Sequence, residues 1–470
     1  MIRRSALSLC SLLLASCTAS GVDKFEVPLA APPEFASDLP PSGSDPVWWN
    51  AFSDPVLNDL IARGLAANLD LVAATERLRA AEALLVAERA GRLPTLDATA
   101  DLGVEVGDDG SRVSGGGGLI GLFDTDFSGR IGAQIRLASA QYAEADYLRS
   151  DQRRLIAAAI ASQYVEYRRT GAQLELLAES TDLQRQTLRI VTLRFEAGLS
   201  ANLDVRRAAT DLAQTQARLG LIEIARARAE HALAVLLAEA PGTLALPAPD
   251  GDASIPAFGV GPAIGGPANL LRRRGDILAA EARLSAAAAR VGIEQSDLRP
   301  SLVVPGSILI GDGSLGNLFT DVLATIGAAL DLPLFDGGRR RAEVDAARAQ
   351  LEASLAEYRQ TFLRALGEAE NALVAIGAYR ERADALSAAI EESETALAQS
   401  NALYREGLAS LFDVLDAQRQ LIASRQSLLD TRADQALAFI ALHSAAATAN
   451  GAGAVDAHGA SSLTAEGAAE

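Results

Sequence analysis

Cysteine is almost missing from this chain. It has two, Cys10 and Cys17, in 470 residues, so the body of the chain carries no disulfide framework and no cysteine metal site. Histidine is nearly as scarce. His231, His443 and His458 are scattered, and no HExxH, GxSxG or phosphate-loop motif accompanies them, so an enzyme is rejected and no metal or other cofactor is expected. Aromatic residues make up 4% of the chain, and basic residues are outnumbered, 42 against 60 acidic. The resulting net charge of −18 repels nucleic acid and anionic membrane surfaces.

The length alone would suit about three domains at roughly 150 residues each. Composition argues otherwise: 49% of residues are apolar, yet Ala, Leu, Arg, Glu and Gln fill most long stretches, the profile of extended helices packed side by side.

The N-terminus supplies the compartment. Arg3 and Arg4 precede the apolar run Leu7 to Leu14, which is too short to span a membrane, and Leu14-Ala15-Ser16-Cys17 fits a lipobox cut before the cysteine. Residues 1–16 are therefore expected to be a signal peptide and Cys17 the lipidated first residue. Thr18 stands where an inner-membrane retention signal places Asp, which favours the outer membrane. Residues 17–47 read as a Pro-rich linker, and residues 446–470, Ala/Gly-rich and acidic, as a disordered tail.

The chain repeats itself. Phe195-Glu196-Ala197-Gly198-Leu199-Ser200 recurs as Tyr404-Arg405-Glu406-Gly407-Leu408-Ala409, and at the same offset Asp204-Val205 falls on Asp413-Val414 and Gly129-Arg130 on Gly338-Arg339. Further upstream, Asp70, Arg77, Leu78 and Pro94 fall on Asp276, Arg283, Leu284 and Pro300. Two repeats, 48–242 and 270–445, are thus expected around a linker at 243–269. Each reads as helix, hairpin, very long helix, tight turn and returning helix. The long helices are predicted from Arg130 to about Phe195 and from Arg339 to Tyr404, about 100 Å each at 1.5 Å per residue. Leu212, Leu219 and Leu233, and likewise Leu421, Leu428 and Leu442, fall on a heptad spacing that predicts a coiled-coil seam along each returning arm.

The hairpins carry a different period. Leu96, Ala98, Ala100, Leu102, Val104 and Val106 alternate with Asp97, Thr99, Asp101, Gly103 and Glu105, about the length of a tilted strand across a bilayer. A polar loop is expected at Gly107–Gly118 and a second strand at Leu119–Phe127. The second repeat offers a strand at 301–310, the loop Gly311-Asp312-Gly313, and a strand from Ile326 to Leu334. A half-buried soluble hairpin is the alternative. Four strands cannot close a membrane barrel, and an open edge in lipid leaves backbone groups unpaired, so membrane strands here require an oligomer.

At Trp48-Trp49-Asn50-Ala51-Phe52-Ser53-Asp54-Pro55-Val56-Leu57, the sequence resembles the opening of the TolC-like outer-membrane factor family, in its NodT-like lipoprotein branch serving resistance-nodulation-division efflux pumps. Arg273-Arg274-Gly275-Asp276-Ile277, with Ala280-Glu281 and Leu284, is similar to that branch's RRPDI segment, with Gly275 for the usual Pro and Ala288 for a usual Asn. The resemblance implies a mainly α fold with membrane β: a homotrimer whose four strands per chain form one twelve-stranded outer-membrane barrel, with coiled-coil helices forming a periplasmic α-barrel. It implies a passive exit duct for small toxic compounds, working with a periplasmic adaptor and an inner-membrane transporter and embedded in outer-membrane lipid. It places the periplasmic gate at Asp413 and Asp416, for which helix capping is the plainer alternative. It places adaptor docking at the turns Gly198-Leu199-Ser200 and Gly407-Leu408-Ala409-Ser410. Type I protein secretion through the same tube, and a lipid-anchored periplasmic scaffold without a pore, are the competing functions.

Overall fold

A computed structural model describes residues 31–43, 47–107, 110–246, 255–310 and 322–448. Cys17, the signal segment, the loop Gly311-Asp312-Gly313 and the tail beyond Thr448 lie outside the described residues. The described residues fall into two compact units, one holding Ala81–Tyr142 and Glu281–Glu357, the other Ala31–Ala80, Ala143–Ala280 and the chain from Tyr358.

The elements run α1 (Pro55–Ala67), α2 (Leu69–Ala90), β1 (Thr95–Gly107), β2 (Gly110–Asp124), α3 (Arg130–Glu196), α4 (Asn202–Gln216) and α5 (Leu219–Leu236). After the linker come α6 (Leu270–Arg273), α7 (Gly275–Ser296), β3 (Ser301–Ile310), β4 (Val322–Ile326), β5 (Ala329–Asp331), α8 (Arg339–Arg405) and α9 (Leu411–Ala445). The long helices α3 and α8 are 67 residues each.

Caps explain where the helices start. Asp54 accepts from the N–H groups of Val56 and Leu57 at 2.9 and 3.2 Å, with Pro55 in the first turn, where a missing N–H costs nothing. Asn68 serves two helices at once: its Oδ1 accepts from Asp70 N–H at 2.9 Å at the start of α2, while its Nδ2 donates to Leu236 O at the end of α5. Asp126 receives Ile131 N–H and Gly132 N–H at 2.7 and 2.8 Å and so starts α3.

In the first unit, four paired segments make one antiparallel sheet in the order β1-β2-β3-β4, with β5 also on β3. Two details differ from the sequence reading. β2 begins at Gly110, so most of the expected loop is strand: Gly115 pairs with Leu102 and Gly118 with Thr99. Glycine permits this because a Cβ at Gly118 would lie 2.5 Å from the Ile308 carbonyl oxygen. The expected final strand is interrupted and ends at Asp331, leaving Leu332 and Leu334 outside it. The break falls opposite Pro305, which has no N–H to give the ladder, and Gly327 N–H donates to Pro305 O at 2.9 Å.

In the second unit the core joins Trp48, Phe52, Leu57 and Ile61 to Ile160 and Tyr164 of α3, Leu233 of α5 and Phe439 and Ile440 of α9. Phe52 meets Phe439 edge-on at 5.4 Å, and the linker residue Phe258 stacks on Phe439 at 4.3 Å. The heptad seam is realised unevenly. Leu233, Leu421 and Leu442 are buried, but Leu219 is exposed, because the first returning arm is broken between α4 and α5 where a continuous helix was expected.

Candidate functional site

Both helix reversals use the same backbone device. At the end of α3, Gly198 adopts φ +74°, its N–H donates to Phe195 O at 2.9 Å and Leu199 N–H donates to Arg194 O at 2.8 Å. At the end of α8, Gly407 adopts φ +73°, its N–H donates to Tyr404 O at 3.1 Å and Leu408 N–H donates to Leu403 O at 2.8 Å. These are paired Schellman turns, and glycine is needed because an L side chain is strained at that φ. The reversal pushes Leu199 and Leu408 outward, 69% and 76% exposed, with Leu203 and Phe412 exposed beside them. Ser200 Oγ donates to Val191 O at 3.4 Å.

The two turns differ at the next step. Ser410 caps α9 through a reciprocal box: Asp413 N–H donates to Ser410 Oγ at 3.4 Å, and Ser410 N–H and Oγ–H donate to Asp413 Oδ2 at 2.9 and 2.7 Å. Those bonds from Ser410 hold the Asp413 carboxyl below the usual carboxylate range. The plainer alternative for Asp413, helix capping, is therefore observed. Its side chain and that of Asp416 nonetheless remain exposed. α4 starts at Ala201, which offers no side-chain cap, and Asp204 sits 3.9 Å from Arg207.

Several residues of these turns escaped sequence reasoning. Arg194 of α3 lies over the Tyr404 ring and donates to the Tyr404 carbonyl, and Asp211 of α4 pairs with Arg419 of α9 at 3.7 Å. An arginine at a helix end facing a tyrosine one repeat away was the available signal.

The sheet presents a second candidate surface. Leu96, Leu102, Val104 and Val106 of β1 are 63–81% exposed, and Asp97, Thr99 and Asp101 on the alternate face are exposed too. β4 and β5 are exposed throughout. A soluble hairpin buries one face, and among the described residues of β1 neither face is buried.

The motif Arg273-Arg274-Gly275-Asp276 acts on the end of α9. Arg274, 3% exposed, donates to both Asp276 carboxylate oxygens, to Glu368 and to the Ala445 carbonyl. Arg154, also buried, donates to Asp151 and to Ser444 O and Oγ. Two guanidinium groups thus satisfy the last carbonyls of α9, where a positive charge also suits the helix dipole. Burial pushes the Asp276 carboxyl up, but the Arg274 hydrogen bonds and charge outweigh it and leave it below the usual range. Gly275 fits here because a Cβ would lie 2.6 Å from the Tyr147 carbonyl oxygen.

No helix among the described residues is long and apolar enough to cross a membrane, and no group of His, Cys, Asp and Glu there could hold a metal.

The described residues hold two long helices that reverse at matching Schellman turns and a sheet whose first strand is exposed on both faces. The family model of outer membrane efflux proteins matches residues 60–239 and 266–448, and the chain belongs to that family. It is therefore a channel protein and not an enzyme. It is 30% identical over 431 residues to nodulation protein T of Rhizobium leguminosarum bv. trifolii, covering 89% of this chain and 91% of that one. It is 30% identical over 406 residues to the solvent efflux pump outer membrane protein SrpC of Pseudomonas putida, covering 84% and 85%. Its fold is similar to the open state of the Neisseria gonorrhoeae MtrE outer membrane channel, with TM-score 0.80, 26% identity and coverage of 90% and 96%.

Proposed function

We propose that the chain is one protomer of a trimeric outer-membrane exit duct in a tripartite efflux system, lipid-anchored at Cys17 and passing small toxic compounds outward without catalysis. The observation that carries this reading is the sheet. Its five paired strands leave apolar residues such as Val106 and Ile326 more than four-fifths exposed. Backbone edges left open in lipid cost several kcal/mol per unpaired group, which identical neighbours would remove by closing a barrel. The efflux-pump name of the Pseudomonas relative supports the tripartite role, with a periplasmic adaptor and an inner-membrane transporter as partners.

In this reading the two tips Gly198–Ser200 and Gly407–Ser410 form the periplasmic end and dock the adaptor through Leu199 and Leu408. Asp416, with Asp413 beside it, forms acidic rings that select or bind cations. The two-repeat organisation, 48–242 and 270–445, gives each protomer two such tips. Native mass spectrometry of the detergent-extracted protein, paired with planar-bilayer recording, tests the proposal. Three copies and discrete conductance steps are expected, and a delipidated, water-soluble monomer without conductance would overturn it. Cross-linking in cells, with identification of the bound protein, tests the adaptor.

A further inference from the structure

The arms that return from the two tips differ along their length as well as at their caps. α9 is one helix of 35 residues, whereas the first arm is split into α4 and α5 at Ala217 and Arg218. No proline is present at the break. The backbone tightens there: Ala217 has φ −64°, ψ −19° and Arg218 φ −78°, ψ −20°, both near 3₁₀ values. Arg218 N–H donates to Thr215 O at 3.1 Å and Leu221 N–H to Arg218 O at 3.1 Å, bonds that skip three residues instead of four. The Gln214 carbonyl thereby loses the donor a continuous helix would give it. Two residues on, Gly220 stands where the second arm has Leu429, and glycine weakens a helix by about 1 kcal/mol relative to alanine.

Beside the break lies a cavity of about 710 Å³ bordered by α3, α4, α5 and α9. Its lining mixes apolar side chains such as Leu177 and Ile222 with the polar groups of Gln184, Asp211, Gln214 and Arg218. Gln184 is 4% exposed, and its Oε1 is buried with no hydrogen-bond partner. In the adjoining interface Gln418, 2% exposed, donates Nε2–H to Thr187 Oγ1 at 2.8 Å and likewise leaves Oε1 unpartnered. A buried amide oxygen without a donor is costly, and a water with two or more polar partners within reach satisfies such a group.

We propose that this cavity is a water site, that its water joins the Gln184 Oε1 to the freed Gln214 carbonyl, and that the first arm bends at Ala217–Arg218 on this wet seat. Water entering the helical hydrogen-bond ladder is a recognised cause of a kink, and an isolated 3₁₀ turn inside a helix marks a hinge. The Asp211–Arg419 ion pair, at 3.7 Å, ties α4 to α9 and sets the resting angle. The first returning arm bends at this seat while the unbroken α3 still carries its tip, whereas the second returning arm is a single rod. The inference concerns the mechanics of one arm and holds whether or not the tips gate a pore.

Hydrogen–deuterium exchange on the full-length protein in detergent tests it. Amides 217–221 are expected to exchange about tenfold faster than their counterparts 426–430, as local opening at a hinge requires. Gly220→Leu, at a position with open space around it, is expected to slow that exchange by about fivefold by extending the helix. A crystal structure that resolves waters is expected to place one within hydrogen-bond reach of Gln184 Oε1 and Gln214 O. Equal protection of the two arms, or a cavity without ordered water, overturns the proposal.

Discussion

Arg194 and Tyr404 lock the ends of the two long helices to each other. The guanidinium carbon of Arg194 lies 4.7 Å from the centroid of the Tyr404 ring, and its Nη1 donates to the Tyr404 carbonyl at 3.1 Å. The first contact is a cation–π pair and the second adds a donor to the Tyr404 carbonyl, which also accepts from Gly407 N–H. The two residues lie one repeat apart in the sequence, so the lock joins the first hairpin to the second.

Arg194→Ala is expected to destabilise the tip by about 1–2 kcal/mol, combining the lost stacking and the lost hydrogen bond. The Tyr404 hydroxyl is buried with no hydrogen-bond partner, so Tyr404→Phe is expected to be neutral or slightly stabilising. Thermal unfolding of the two variants checks this; equal losses in both would mean that the ring contact is not what holds the ends.

The two roles open to the second turn separate by mutation. Ser410→Ala removes the cap of α9 and is expected to cost about 1 kcal/mol while leaving cation block of the channel unchanged. Asp416→Ala is expected to raise single-channel conductance and weaken cation block without lowering the melting temperature. Asp413→Ala should do both. Because its carboxyl is held below its ordinary range, the capping contribution of Asp413 is present above the unfolded carboxylate pKa and is lost as pH falls through the lower folded value.

Removing Arg274 leaves Asp276 and Glu368 without their buried partner and the Ala445 carbonyl without its donor. Arg274→Ala is expected to cost about 3 kcal/mol or more. Arg274→Lys is expected to recover little, since one ammonium cannot reproduce the two-pronged grip on Asp276. Gly275→Ala is expected to destabilise by about 1–3 kcal/mol, because its Cβ meets the backbone of Tyr147 and Asp151. Denaturant or thermal unfolding reads all three.

His443 supplies an acid sensitivity. It is 2% exposed, parallel to Trp48 at 6.4 Å, with Nδ1 3.1 Å from Thr448 Oγ1. Burial pulls its pKa down to about 4. The unfolded chain takes up a proton that the fold refuses, so stability is full above pH 6.5 and falls by about 3 kcal/mol as pH drops to 4. His443→Phe is expected to flatten the melting temperature over that interval, and an unaltered acid slope in the variant would assign it to other groups.

Much of this architecture was legible because it is local. Arg130 to about Phe195 was predicted as one helix and the observed α3 ends at Glu196, since an unbroken run without proline and a glycine reversal need no distant partner. The strand at 301–310 was read from its neighbours alone and β3 has those bounds. Gly115–Gly118 was not legible as strand. A glycine run carries no alternation, and its extended form comes from pairing with β1 and β3. The Trp48-Trp49 opening was recognised as a motif, yet its part in the core depends on Phe439 and His443, nearly four hundred residues away.

By itself the sequence determined the helix lengths, the two reversals at Gly198 and Gly407, and the alternating strand of β1, each set by backbone preference and side-chain period over a few neighbouring residues. The tertiary structure alone decided which arginines are buried at the end of α9 and where the first returning arm breaks. Those outcomes depend on which groups lose water and which donors reach them, and long-range packing sets both.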